Sequence, residues 1–242
     1  MTLRQAWDDA ADVWVRFARD PEADRTFWSW HLQAFLALVP HPGRLTLDIG
    51  CGEGRLGREL ARHGHRVVGL DTSTRLVHAA AQHRAAAPVL VADAACLPCA
   101  DAIADLVVLF MVLHDVDDLA TTVAEAARVL EPGGRLAVAI GHPIQGIGDF
   151  SGADLSGPYV LARPYFEPRR LTYWWEGNGV RVPMHFLHRP LESFFAAMTA
   201  AGLLVESLAE PSPVATVAAM SADDERRRQV PSFVHIRALK PS

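Results

Sequence analysis

The sequence predicts an α/β fold built on a doubly wound, mostly parallel sheet, and three observations carry that expectation. Between residues 41 and 140 near-continuous apolar runs alternate with helix-like stretches, the pattern of strands covered on both faces by crossover helices. The first of these runs ends in a glycine-rich bend, Gly50-Cys51-Gly52-Glu53-Gly54. All six Trp and all three Tyr lie outside the block, which leaves it to small and aliphatic side chains.

In chain order, residues 1–40 read as two helices. The first repeats Trp7, Ala10, Ala11, Trp14, Phe17 and Ala18 along one face, a helical period. The second runs from about Asp24 to Leu38 and stops at Pro40-His41-Pro42-Gly43, a strong breaker. Strands are expected at Leu45–Asp48, Arg66–Leu70, Pro88–Ala92, Asp105–Met111 and Arg135–Ile140. Helices are expected near Arg55–Arg62, Thr74–Arg84 and Leu119–Leu130, and right-handed crossovers distribute them over both faces. Residues 141–189 are rich in Gly, Pro and aromatic residues with little periodicity. A loop of that length in a compact domain reads as a functional lid. A helix at Leu191–Ala201, a stop at Gly202 and strands at Leu203–Leu208 and Phe233–Leu239 close the chain.

Composition narrows the class. The 242 residues hold 23 Lys+Arg against 28 Asp+Glu, a net charge of −5, so no basic excess exists to drive nucleic-acid binding by counterion release. The longest apolar run, Leu106–Leu113, is far too short to cross a bilayer. Arg4, Asp8, Asp9 and Asp12 break any signal-peptide pattern at the N-terminus. Three cysteines make no disulfide framework, which points to reduced thiols and a cytoplasmic protein. Lys240 is the single lysine and alanine is abundant, a bias expected of a GC-rich bacterial genome. Exposed Trp and Phe on the N-terminal helices would allow a homodimer.

The glycine bend is where chemistry concentrates. Backbone without Cβ turns tightly and approaches a ligand closely, and the helix that follows presents free N–H groups. Asp71 ends the second strand 23 residues after Asp48, and Asp93 ends the third 22 residues later. Ends of adjacent strands line one crevice in an open α/β sheet. An acid after the second strand suits a ribose diol, and one after the third suits an exocyclic amine, so the set describes a nucleoside lying across the strand ends. Gly52-x-Gly54-x-x-Gly57 with Asp71 also fits a dinucleotide fingerprint. Against that, Asp48 stands two residues before the first glycine, beside the place of a pyrophosphate, and Asp93 has no role in the fingerprint. The bland alternative makes these aspartates ordinary turn-formers.

The segments Leu47-Asp48-Ile49-Gly50-Cys51-Gly52-Glu53-Gly54, Val68-Gly69-Leu70-Asp71-x-Ser73 and Ala92-Asp93-Ala94-x-x-Leu97-Pro98 resemble those of class I S-adenosylmethionine-dependent methyltransferases. Arg128-Val129-Leu130-Glu131-Pro132-Gly133-Gly134-Arg135-Leu136 is similar to the turn before strand five in that family. The resemblance covers about residues 44–140 and resumes in the closing helix and last strands. It implies a Rossmann-like seven-stranded sheet in the order 3-2-1-4-5-7-6 with one antiparallel closing strand. It also implies a division into a helical cap (1–43), a cofactor-binding core (44–140), a substrate lid (141–189) and a closing helix with an antiparallel hairpin (190–242).

The activity it implies is transfer of a methyl group from S-adenosylmethionine to a small-molecule acceptor. Carried over, Gly50, Gly52 and Gly54 would flank the amino-acid part of the cofactor, and Asp48 would meet its ammonium. Asp71 would hold the ribose diol, with Thr72 beside the adenine. Asp93 would accept from the adenine amine, and the Ala94 N–H would donate to the ring. Phe110 and Met111 would lie near the sulfonium, and Arg16 or Arg25 would reach the carboxylate.

Methyl transfer from a sulfonium needs alignment and exclusion of water; a hydroxyl or carbon acceptor is helped by a base, most often His. His114 after strand four, His142 after strand five and His188 before the closing helix are the catalytic candidates, each with a purely structural alternative. The aromatic residues of the lid suit a planar or amphipathic substrate. Cys96-Leu97-Pro98-Cys99 has no second Cys pair at ligand spacing, so neither metal nor redox chemistry is expected. Two other readings stay open: an NAD(P)-dependent oxidoreductase, and a non-catalytic protein that binds S-adenosylmethionine.

Overall fold

Strand β1 (Thr46–Ile49) is buried at every residue, and the sheet grows outward from it. The structure is a computed structural model that describes residues 2–83, 87–152, 157–213, 225–226 and 228–242. Strands β2 (Val67–Asp71) and β3 (Val89–Val91) extend the sheet on one side of β1. Strands β4 (Ala104–Phe110) and β5 (Leu130–Gly141) extend it on the other. With β10 (Leu204–Ala209) and β11 (Phe233–Leu239), the order is β10-β11-β5-β4-β1-β2-β3. Only β11 runs against its neighbours, pairing antiparallel with both β5 and β10. This is the seven-stranded order that the resemblance implied.

Alternation along β4 divides the core between two faces. Leu106 and Val108 join Phe27, Phe35, Leu56 and Leu60 from helices α2 (Leu32–Leu36) and α3 (Arg55–Arg62) and the turn before α2. Val107 and Leu109 join Val123, Ala126, Phe194 and Met198 from helices α5 (Leu119–Val129) and α6 (Leu191–Ala200). Helix α1 (Leu3–Arg19) starts where Thr2 accepts from the Gln5 N–H, and α4 (Thr74–Ala81) where Ser73 accepts from the Leu76 N–H, both ordinary N-caps. The expected end of α4, Arg84, lies outside the described residues. No helix among the described residues is long and apolar enough to cross a membrane.

Three expectations need correction. The second N-terminal helix is not one α-helix: Phe27–His31 forms a π turn ahead of α2. The extra residue in a π turn rotates the side chains that follow, and Phe27, Trp30 and His31 all end up buried. The stretch 141–189 is not a loop. Strands β6 (Gly148–Phe150) and β7 (Tyr159–Leu161) pair, as do β8 (Arg169–Gly177) and β9 (Val180–His188). Asn178 and Gly179 close the second hairpin with φ of 45° and 72°, the two left-handed residues of a type I′ turn. Its inner face, with Trp175, Val182 and Met184, packs on Phe17 and Ala23 beside α1.

The aromatic surface expected to support a homodimer is also absent. Phe17, Phe27, Trp30 and Phe35 are buried, and Trp7, Trp14 and Trp28 are partly covered. Packing against the hairpin and the sheet uses that face.

Leu109 is fully buried in the core shared with α5 and α6. Leu109→Ala is expected to lower unfolding stability by about 2–5 kcal/mol, read as a lower urea midpoint at unchanged slope.

Candidate active site

At the carboxyl end of β1 the chain makes a bend with Gly50 and Gly52 at φ of 73° and 55°. A side chain at Gly50 would collide with Val112, so the bend lies against the loop after β4 with no space to spare. The Gly50 and Cys51 N–H groups donate to the Leu70 carbonyl. Asp71 then ties two loops together: its Oδ2 accepts from the Gly52 N–H and its Oδ1 from the Ser73 N–H, each at 2.8 Å. Burial nevertheless raises its pKa.

Asp48 is the more exceptional acid. It is 1% exposed, and its Oδ2 has no hydrogen-bond partner among the described residues. Burial first, and then the negative charge of Asp71, push its pKa to about 7.

These groups open on one cavity of about 300 Å³. Asp48, Gly50, Gly52, Asp71, Thr72, Asp93, Ala94, Phe110 and Met111 all line it, so most of the proposed cofactor set meets at the carboxyl edge of the sheet. Asp93 is exposed on its rim and accepts from the Ala95 N–H at 2.9 Å. Met111 holds φ of 60° with its N–H on the Ala139 carbonyl. A left-handed conformation is uncommon for a side chain of this kind and clusters at functional sites.

Two members of the expected cofactor set do not line the cavity. Gly54 is the left-handed N-cap of α3 and faces Ala80 and Arg58; it shapes the bend from behind. Arg25 is exposed and Arg16 likewise, because it is the neighbouring Asp24 that turns inward. Asp24 pairs with Arg55 at 2.6 Å, and Arg55, which does line the cavity, lies over the Phe27 ring at 3.8 Å.

The three candidate histidines separate. His114 lines the cavity, with Nδ1 accepting from the Gly141 N–H at 3.4 Å and Nε2 3.5 Å from Asp115 Oδ1. Burial and the charge of Arg189 bring its pKa down to about 4. His142 instead caps a short 3-10 turn through the Ile144 N–H, with Nε2 3.0 Å from Glu210. His188 is buried behind the cavity wall, its Nε2 donating to the Tyr165 carbonyl at 2.7 Å. Neither of these two is among the cavity residues.

Several cavity groups escaped the sequence reading. The Trp7 indole donates to Asp115, whose carboxyl burial pushes well above its usual range. Met184 arrives on the hairpin beside Trp175, a lid aromatic the sequence did single out, and His31 and Phe27 on the π turn. The Asn178-Gly179 pair flanked by alternating residues was a readable signal for the hairpin; the π turn has none.

A doubly wound sheet with a glycine bend and acidic strand ends defines the Rossmann-like class. Comparison narrows it: residues 47–138 match the family model described as a methyltransferase domain. The malonyl-[acyl-carrier protein] O-methyltransferase of Pectobacterium atrosepticum is 34% identical over 138 residues, 57% of this chain and 52% of that protein. The demethylmenaquinone methyltransferase of Beutenbergia cavernae is 36% identical over 110 residues, 46% of each. The chain spans about half the length of the curated relatives it matches. An S-adenosylmethionine-dependent methyltransferase structure from Mesorhizobium loti shares the fold with a TM-score of 0.69 at 22% identity, covering 86% of this chain and 96% of that one. Residues 47–138 of this chain are thus similar to a methyltransferase domain, and the sheet shares the fold of that solved structure.

Asp48 gives the site a pH signature. Its carboxyl titrates near 7 in the folded chain against 3.8 as the ordinary value, so between those values the folded state holds the extra proton. Stability therefore falls as pH rises from about 4 to about 7, by on the order of 3–4 kcal/mol. Asp48→Asn is expected to flatten this limb, and urea midpoints at about pH 5 and about pH 8 measure it.

Proposed function

We propose that the protein transfers a methyl group from S-adenosylmethionine to a small-molecule acceptor in the cytoplasm. The observation that carries this reading is the single cavity shared by Asp48, Gly52, Asp71 and Asp93 at the carboxyl edge of the sheet. Two features fit the cofactor. The unpartnered Asp48 Oδ2 suits a cationic ammonium, and the bend at Gly50 and Gly52 lets backbone approach the ligand with no Cβ between.

In this reading Asp71 accepts from the ribose hydroxyls while its backbone donors keep the carboxylate oriented. Thr72, Asp93 and the Ala94 N–H face the adenine. Phe110 and Met111 form the floor near the sulfur, and acidic side chains around the cavity favour a cationic ligand over an anionic one. When bound, S-adenosylmethionine supplies an electrophilic methyl on a sulfonium with its leaving group in place. The protein's share is alignment and exclusion of water. Residues 1–43 and the 141–189 segment act as cap and lid, and 44–140 with 190–242 as the core. His114 faces the acceptor space, whereas His142 and His188 support the walls.

The relatives named as methyltransferases of small or carrier-bound molecules favour a small acceptor. A nicotinamide cofactor fares worse, because its pyrophosphate would lie beside the Asp48 carboxyl. Calorimetry with S-adenosylhomocysteine tests the reading: binding is expected, and silence with S-adenosylhomocysteine beside clear NADH binding would overturn it.

Asp71→Ala removes a buried acceptor and is expected to weaken S-adenosylhomocysteine affinity by about 10- to 100-fold. Wild-type affinity should rise with pH up to about 7 and then level, by at most about tenfold per pH unit, since the ammonium favours an Asp48 that has lost its proton. The same titration repeated on Asp48→Asn should lose that slope.

A further inference from the structure

The carboxyls that line the cavity divide into those the protein itself neutralises and those it does not. Asp24 is paired with Arg55, and Glu53 with Arg58 and Arg19. Asp117, which is exposed, reaches Arg170 at 2.6 Å, and Asp118 caps α5. Among the described residues no Arg or Lys pairs with the other four, Asp48, Asp71, Asp93 and Asp115. The second cation of the lining, Arg4, is exposed on α1 and acts on Asp8. In the methyl-transfer reading Asp48, Asp71 and Asp93 address the ammonium, ribose and adenine of the cofactor. Asp115 is left over.

Asp115 lies on the loop after β4, its side chain 13% exposed. The Trp7 indole donates to it, and its Oδ1 is 3.5 Å from His114 Nε2. Because His114 Nδ1 accepts from the Gly141 N–H, the proton of that neutral ring sits on Nε2, directed at Asp115. Both neighbours are neutral N–H donors, which orient the carboxyl without cancelling its charge. A carboxyl so enclosed takes either a proton or a cation, and burial by itself favours the proton. Trp7 also begins an aromatic row: it meets Trp14 edge-on at 5.3 Å, and Phe17 and Trp175 follow at 6.0 and 6.2 Å. Trp7 and Trp175 line the cavity, and aromatic faces beside a carboxyl suit an ammonium on an apolar body.

We propose that Asp115 binds and deprotonates the methyl acceptor, and that this acceptor is a primary or secondary amine carried on an apolar, aromatic-sized body; the proposal rests on the methyl-transfer reading above. An alkylamine is protonated at neutral pH, as lysine is. It binds as the ammonium against the Asp115 carboxylate, releasing to solvent the proton that burial held there. One N–H proton then passes to Asp115, and the freed nitrogen lone pair bonds to the methyl carbon. The carbon–sulfur bond breaks with its electron pair going to sulfur, which leaves a neutral thioether, a methylated ammonium and a protonated Asp115. A phenol or acid acceptor would instead pass through an anion beside Asp71, whose charge already acts on Asp115.

The test is calorimetry on wild-type protein saturated with S-adenosylhomocysteine. The probes are matched sets: 2-phenylethylamine, 2-phenylethanol and phenylacetate, then tryptamine, tryptophol and indole-3-acetate. An amine is expected to bind at least about tenfold more tightly than its alcohol, and its carboxylate more weakly than either. Asp115→Asn keeps the shape and is expected to lower that amine's affinity by about 10- to 100-fold while changing the alcohol's by less than about threefold. Its turnover of the amine, followed by S-adenosylhomocysteine release, should fall by about 10²–10⁴-fold, with the affinities for S-adenosylmethionine and S-adenosylhomocysteine unchanged.

Failure of both amines to bind, alcohols or carboxylates that bind as tightly, or full amine turnover by Asp115→Asn would each overturn the proposal. A loss of S-adenosylmethionine affinity alone would overturn it by placing Asp115 against the sulfonium, and a loss for both cofactor forms by placing it in the cofactor site. If Asp115→Asn does not fold, the wild-type ranking of amine over alcohol decides. Wild-type protein that binds S-adenosylhomocysteine but methylates only hydroxyl compounds refutes this inference and leaves the methyl-transfer reading standing. Wild-type protein that does not bind S-adenosylhomocysteine refutes that reading itself.

Discussion

Asp71 holds two backbone turns in one orientation, and the site depends on that tie. The Gly52 N–H and the Ser73 N–H reach its two oxygens, so the bend after β1 and the loop after β2 cannot move separately. A carboxylate with two backbone donors is rigid and keeps lone pairs for a ligand. Next to it, Asp48 is buried with an unsatisfied oxygen, a cost the fold carries locally. Costs of this kind collect at functional sites, where a ligand relieves them.

A second set of buried charges fastens α1 over the site. Glu53 is 1% exposed and takes Arg58 at 2.8 Å and Arg19 at 2.6 Å. Asp8 accepts from Ser73, the residue that also caps α4. The helix that covers the cavity is therefore held to the same two loops that Asp71 joins. Removing one partner of such a buried pair leaves a charge without compensation, about 3–5 kcal/mol in comparable cases, which makes the cap part of the site's architecture.

Much of this was legible along the chain. The alternation of buried strands and helices, the glycine bend and the acids at the ends of β2 and β3 are local patterns, and each element fell within a few residues of its expected place. The hairpin of β8 and β9 was legible too, through Asn178-Gly179, but the outward-facing Trp174 blurs the alternation of apolar and polar residues that marks a strand. Arg25 misled because helical neighbours differ by about 100° in direction, so the inward position fell to Asp24.

The amino-acid sequence by itself determined the sheet, the bend and the acids that address a nucleoside, because each depends on residues close together in the chain. Tertiary structure decided which basic groups share that cavity. His31 meets His235 across 204 residues, and the meeting requires both a π turn with no marker of its own and the insertion of β11 between β5 and β10. Pairings of that separation come from how the elements pack, and no local pattern encodes them.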